Sequence, residues 1–358
     1  MPRGLPHNCQ RRRLWPARLR ALALRSSCLL AAMPVMLPGC PGRGAAWAAA
    51  AIEPVAAGAG AARYTPVSGV AGNLSSVGSD TMANLMALWS ERFQRIYPGV
   101  NLQMQAAGSS TAPPALTQGT ADIGPMSRPM TASEQGAFER RHGYPPLQVV
   151  VAVDAIALYV NEYNPLEGIS LAQVDAMFSR SRRCGAPAAA PAALHYWSEL
   201  GLSGIWQRRP IALYGRSSAS GTYGYFRQRV LCGGDFRSSL NELPGSSSVA
   251  QAVAASLNGV GYAGMGYAMA GVRALPVRQA ASGEYVAATV GNVQAGRYPL
   301  TRYLHIYLNR RPGKALAPVE AEFLRFVLSS SGQRLVVKEG YIPLAADMAR
   351  RQLRGLGP

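Results

Sequence analysis

The sequence predicts an α/β protein of two lobes, each a mixed sheet flanked by helices. Short apolar runs alternate with helical patterns, the runs are continuously apolar as in strands covered on both faces, and the alternation falls into two sets. The 358 residues, 48% of them hydrophobic, are enough for two ordinary cores.

Folding is expected to begin near Leu74. Leu74 to Ser79 reads as a strand, after which Met82, Leu85, Met86, Trp89, Phe93, Ile96 and Tyr97 fall on one face at helical spacing. Val100 to Ala106 follows as a strand, Ala112 to Gln118 as a short helix opening with prolines, Ala121 to Gly124 as a short strand and Val149 to Val160 as a long apolar one. The second set starts near Pro165, with helices at Leu171 to Phe178, Gly221 to Val230 and Val249 to Leu257 and a strand at Ile211 to Tyr214. A strand at Tyr303 to Leu308 and a C-terminal helix at Val319 to Leu328 complete the chain. We assign residues 71–154 and 301–358 to lobe I and 155–300 to lobe II, with a ligand between them, because clefts at domain interfaces and at strand C-termini are the usual binding places.

Residues 1–48 read as an export signal: Arg3, Arg11, Arg12, Arg13, Arg18, Arg20 and Arg25 come with no acid, and Cys28 to Leu37 is apolar. Two exits stay open, a lipobox at Leu37-Pro38-Gly39-Cys40 that would lipidate Cys40, and an ordinary cleavage at Ala46-Trp47-Ala48. Residues 49–70 are Ala/Gly-rich, the composition of a tether. No later segment reaches the ~20 apolar residues of a membrane span. A soluble mature protein is expected, touching a membrane only through lipid on Cys40, in the periplasm or at the cell surface.

The formal charge is +18, and without the first seven arginines it is still about +11. An anionic ligand or surface is favoured over nucleic acid, because the basic residues are spread singly and are not interleaved with stacking aromatics. Cys184 and Cys232 are the cysteines left in the folded part, both in polar, Gly-containing loops, and an oxidising compartment makes them a disulfide. The Ala186 to Ala193 stretch reads as a surface loop insertion without chemistry.

Three strand-to-helix turns carry small hydroxyl residues: Gly78-Ser79-Asp80-Thr81-Met82, Gly108-Ser109-Ser110-Thr111, and Ser217-Ser218-Ala219-Ser220-Gly221-Thr222. A helix start exposes unpaired N–H groups, glycine lets an anion approach the backbone, and hydroxyls add donors. One such turn would be ordinary capping; three make a cage for a tetrahedral oxyanion the better reading. Arg216 follows a strand and stands four residues before Ser220, placed to supply a bidentate, permanently charged contact. A fourth element, Gly124 to Pro129, brings Ser127 and Arg128, the latter either to the ligand or to an acid at the cleft rim.

With these residues the chain resembles the phosphate-binding proteins of phosphate-specific ABC importers (PstS type), from about Val77 to Leu344. Further landmarks are Asp122-Ile123-Gly124, Gly261-Tyr262-Ala263-Gly264 and Tyr341-Ile342-Pro343-Leu344. The resemblance implies a type II periplasmic-binding fold closing on inorganic phosphate like a hinged clamp, a monomer delivering its cargo to permease subunits, no cofactor and no catalysis. By matching positions it implies contacts from Thr81, the Met82 amide, Ser109, Arg216, Ser220, Gly221 and Thr222; the turns themselves add Ser79, Ser127 and Arg128 as candidate contacts. Where family members place an aspartate to accept the proton of monohydrogen phosphate, this chain has Ser127. An acceptor-only carboxylate separates protonated phosphate from sulfate. Asp154 or Asp80 is expected to replace it, with Asp154 preferred because Asp80 can simply cap its helix.

Other motifs carry less. Gly259-Val260-Gly261-Tyr262-Ala263-Gly264 has dinucleotide-binding spacing, but a helix precedes it where a strand is needed, so it reads as loop and strand. His7, His142, His195 and His305 are isolated, no Cys/His spacing suits a metal, and there is no Gly-x-Ser-x-Gly elbow. A binder of another tetrahedral oxyanion, a secreted phosphatase or a surface protein reusing the fold stands as the alternative.

Overall fold

A computed structural model describes residues 62–184, 193–279 and 283–357. The export signal, both candidate cleavage sites, Cys40 and most of the Ala186 to Ala193 loop lie outside the described residues. In chain order the elements are β1 (Gly72–Val77), α1 (Ala83–Ile96), β2 (Val100–Gln105), α2 (Ala112–Gln118), β3 (Ile123–Met126), α3 (Ala132–His142), β4 (Leu147–Asn161), β5 (Ile169–Ser170), α4 (Leu171–Phe178), β6 (Ala212–Arg216), α5 (Gly221–Val230), β7 (Asn241–Leu243) and α6 (Ser246–Ala255). They continue with β8 (Gly259–Gly264), β9 (Val272–Leu275), β10 (Val277–Arg278), α7 (Val290–Gln294), β11 (Thr301–Leu308), α8 (Pro318–Leu328), α9 (Ser330–Lys338) and α10 (Ala346–Gly355).

Nine of the described strands form a mixed sheet in the order β2-β1-β3-β11-β4-β8-β6-β7, with β9 also on β4, while β5 and β10 pair in a parallel two-stranded sheet. β4 holds the two halves together. Its 15 residues span roughly 50 Å, so β11 pairs antiparallel with Leu147 to Ala155 while β8 and β9 pair with Ile156 to Asn161. Because it is covered on both faces, its sequence is an almost unbroken apolar run, and Ala155 to Val160 are fully buried.

Each half has its own core. On one side Leu74, Trp89, Phe93, Leu304, Phe323 and Phe326 pack together; on the other, Ile156, Val174, Trp197, Phe226, Tyr262 and Leu300 do so. The face predicted for α1 is the buried one, with Leu85, Trp89 and Phe93 at 0% exposure. α2 begins with prolines at its first positions and stops at Gly119 in the left-handed region. Cys184 and Cys232 form the expected disulfide.

Several elements differ from the expectation. The first strand ends at Val77, which leaves Gly78 and Ser79 in the turn. The chain engages the core before Leu74: Tyr64 donates to Glu322 at 2.7 Å and Val70 is buried. Gly259 to Gly264 is strand throughout, and α9 and α10 follow the helix that was expected to be the last.

His305 on β11 is 3% exposed and accepts from Gln148 Nε2 at 2.9 Å through Nδ1. Burial, with the nearby Arg302 charge, pushes its pKa down from 6.5 to about 4. The unfolded chain therefore takes up a proton as pH falls through 6.5 while the folded chain does not until about 4. Stability present above pH 6.5 should fall between these values, by about 3 kcal/mol in full. Urea unfolding from pH 7 to pH 4 should show a shallower acid loss in His305→Gln than in wild type.

Candidate functional site

The parallel strands β1, β2 and β3 lie side by side, so the turns leaving their C-terminal ends are neighbours. The Gly108 amide donates to Gly78 O at 2.8 Å and the Ser79 amide to Pro125 O at 2.8 Å, joining the three turns through their backbones. The Ser127 amide donates to Ser109 Oγ at 3.0 Å, and the two hydroxyls stand 3.3 Å apart.

The turn after β6 meets them from the other side. Thr222 Oγ1 is 2.9 Å from Thr81 Oγ1, and the Ser110 amide donates to Ala219 O at 3.1 Å. Ser220 Oγ accepts from the Thr222 amide at 3.2 Å, capping α5, and donates to Asp80 Oδ1 at 3.3 Å. The fit is close enough that Gly221 and Gly108 are required. A Cβ on Gly221 would overlap Ser109 Oγ and Ser127 Oγ and sit 2.9 Å from Ser109 Cβ, and one on Gly108, whose φ is +113°, would meet Ala219 O at 2.5 Å.

Arg216 closes the cage. It has 0% exposure; its Nη2 is ion-paired with Asp80, its Nη1 donates to Ser246 Oγ at 2.5 Å, and its Nη2 also reaches Pro244 O at 3.2 Å. Nε has no hydrogen-bond partner among the described residues. A buried N–H of a charged group without an acceptor is costly and rare. The hydroxyls of Thr81, Ser109, Ser127, Ser220 and Thr222 lie in the same sealed place, each 3% exposed or less. Hydroxyl and guanidinium donors of this kind, with a single carboxylate among them, can hold an oxyanion that carries one proton.

A PBP superfamily domain matches residues 63–331. The Phosphate-binding protein PstS of Pseudomonas aeruginosa is 52% identical over 316 residues, covering 88% of this chain and 95% of that protein. The chain belongs to the PstS family. Protein SphX of Synechococcus elongatus is 28% identical over 273 residues, 75% of this chain and 77% of that protein. Among solved structures, a Clostridium perfringens chain with bound phosphate, named for phosphate ABC transport, superposes with TM-score 0.63 at 25% identity, covering 76% of this chain and 100% of that one. An ABC-type phosphate transport receptor from Vibrio cholerae shares the fold with TM-score 0.59 at 23% identity, covering 76% and 100%. The two-lobed type II fold expected from the sequence is thus the fold of this PstS-family chain.

Other residues expected at this PstS-family site make bonds of their own. Ser79 Oγ is 3.4 Å from the Met82 amide and lines a cavity of about 130 Å³ beside Met86 and Met104, so both residues serve the start of α1. Arg128 takes the pairing alternative: Nη1 and Nη2 each donate to Glu134 at 2.7 Å, with Nη2 also on Ser110 Oγ at 3.2 Å. This ion pair holds the Glu134 carboxyl below its usual range against the effect of burial.

Asp154 is not a free carboxylate of the cage. Its Oδ2 accepts from Arg302 Nη2 at 2.7 Å and Nε at 3.0 Å, and Oδ1 accepts from the Ala155 amide at 2.8 Å. Burial raises its pKa, opposed by the Arg302 guanidinium. Sequence reasoning missed Arg302, Ser246 and Tyr267. Tyr267 and Tyr341 both donate to Thr81 O, at 3.2 and 2.6 Å, and fix the first turn from behind. Tyr341 was visible as a family landmark; a lone arginine or tyrosine far along the chain gives no local signal.

Proposed function

We propose that this chain is an exported, monomeric, non-enzymatic carrier that captures inorganic phosphate between two lobes, 71–154 with 301–358 and 155–300, and delivers it to the permease of an ABC importer. One observation carries the reading: hydroxyls from four separate turns converge with a buried arginine whose Nε lacks an acceptor. The likeness to Pseudomonas aeruginosa PstS over 88% of the chain supports phosphate as the anion, and the Clostridium perfringens relative supports an ABC system. A lipid on Cys40 or cleavage after Ala48 would leave the protein outside the cytoplasmic membrane in either case.

Selectivity rests on Asp80 in this reading, not on Asp154. Asp80 is 14% exposed in its side chain and bonded to cage residues, Arg216 and Ser220, so a bound anion competes for those partners and can give its proton to the freed carboxylate. The preference for Asp154 gives way because Arg302 and the Ala155 amide occupy that group.

Titration calorimetry with phosphate, arsenate, sulfate and molybdate tests this. One phosphate per monomer is expected, arsenate should compete, and sulfate should bind at least about 100-fold more weakly, the discrimination of a site whose carboxylate would face an unprotonated oxygen. Equal affinity for sulfate and phosphate would contradict it.

A further inference from the structure

We propose that Arg302, on β11, is the positioning residue of the oxyanion site: it sets phosphate affinity by orienting the Thr222 hydroxyl without touching the ligand. The proposal rests on the phosphate reading above and adds a residue that the turn motifs do not contain.

Arg302 stands directly opposite Asp154 in the β11–β4 ladder, at the place where β4 passes from one half of the sheet to the other. A buried cross-strand ion pair would explain two of its bonds, from Nε and Nη2 to Asp154 Oδ2. It does not explain the others. Nη1 donates to Ser127 O at 2.9 Å, on the turn after β3, and Nη2 donates to Thr222 Oγ1 at 2.9 Å, in the first turn of α5. One guanidinium therefore joins the crossover strand to a cage residue from each half of the sheet. Its fork geometry and its five fixed donors make that possible.

The polarity of the bond to Thr222 matters as much as its presence. A guanidinium can only donate, so it fills a lone pair of Thr222 Oγ1 and that hydroxyl cannot point its proton back at Arg302. The proton is turned into the cage, where Thr81 Oγ1 lies at 2.9 Å. Ser109 is primed in the same sense by the Ser127 amide, and Ser220 by the Thr222 amide. Arg302 thus supplies for Thr222 what backbone amides supply for the two serines. Donors oriented before the ligand arrives cost no reorganisation on binding. Tyr225, whose ring lies 5.6 Å from the guanidinium carbon, covers Arg302 and keeps it from swinging away.

The test is a calorimetric double-mutant cycle on the full mature protein with inorganic phosphate, using Arg302→Lys, Thr222→Val and the double variant. Lysine keeps the charge beside Asp154 but has one nitrogen where the guanidinium spreads three toward Asp154, Ser127 O and Thr222 Oγ1. Arg302→Lys should weaken phosphate at least about 10-fold in the wild-type background and less than about 3-fold in Thr222→Val. Arg302→Gln with Asp154→Asn, which leaves no unpaired buried charge, should show the same loss with a thermal midpoint close to wild type. That second variant keeps the test valid if the lysine variant folds poorly. Wild-type affinity in either variant, or an equal loss with and without the Thr222 hydroxyl, would overturn the proposal while leaving the phosphate reading intact. No phosphate binding by wild type would overturn the reading itself and the proposal with it.

Discussion

Replacing Arg216 with alanine should weaken phosphate binding by at least about 2 kcal/mol, roughly 30-fold, with the protein still folded. The side chain is fully buried and directly precedes the Ser217 to Thr222 turn. Removing it takes away the charge-assisted donors and also leaves Asp80 unopposed beside an incoming anion. Breaking a fully buried pair costs about 3–5 kcal/mol of stability. The loss here should be smaller, because Asp80 keeps partial contact with water and retains its bonds to Ser220 and the Thr81 amide. Arg216→Lys should fall between wild type and alanine, since a point charge cannot reproduce the fork that reaches Asp80, Ser246 and the ligand together. Calorimetry paired with thermal unfolding separates the two effects. Unchanged affinity in Arg216→Ala would remove Arg216 from the site.

A single methyl group at residue 221 should be nearly as damaging. Gly221 begins α5, where alanine is the better helix former by up to about 1 kcal/mol, so Gly221→Ala should not unfold that half of the protein. Its Cβ, however, would overlap the Ser109 and Ser127 hydroxyls across the cage. These belong to backbone turns with little room to retreat, both at 0% exposure. Overpacking of this kind costs about 1–3 kcal/mol of stability, and because the crowded hydroxyls are the proposed donors, phosphate affinity should fall roughly 10- to 100-fold, with the thermal midpoint of the ligand-free protein lowered by a few degrees. Normal binding in Gly221→Ala would mean that the turns do not close on the ligand as tightly as they do in this structure.

The meeting of the hydroxyl-bearing turns was legible in the sequence because its signal is local. Gly-Ser-Ser-Thr or Ser-Gly-Thr after an apolar run predicts both the helix start and the donors, and Thr81, Ser109, Arg216, Ser220 and Thr222 do meet. Helices with a strong apolar stripe, such as α1, were equally readable. α3 was not, since Phe138 is its one buried residue and the rest of Ala132–His142 is polar, Ala or Gly. α9 opens with Ser-Ser-Gly after the Ser329 cap, a turn signature that hides a helix. The carboxylates were the hardest. Asp80 and Asp154 look alike in sequence, and only the register of β11 on β4, which sets Arg302 against Asp154, tells them apart. Registers are long-range facts, and 148 residues separate that pair.

A crystal structure of the mature protein grown with phosphate tests the central claim most directly. Phosphate should lie enclosed between the turns, within hydrogen-bond distance of Thr81, Ser109, Ser220 and Thr222, accepting from the Arg216 guanidinium, with the Asp80 contact to Arg216 loosened or replaced. Phosphate bound instead in the open groove beside Arg128 and Tyr223, with the contacts among Thr81, Thr222, Ser109 and Ser127 undisturbed, would contradict it.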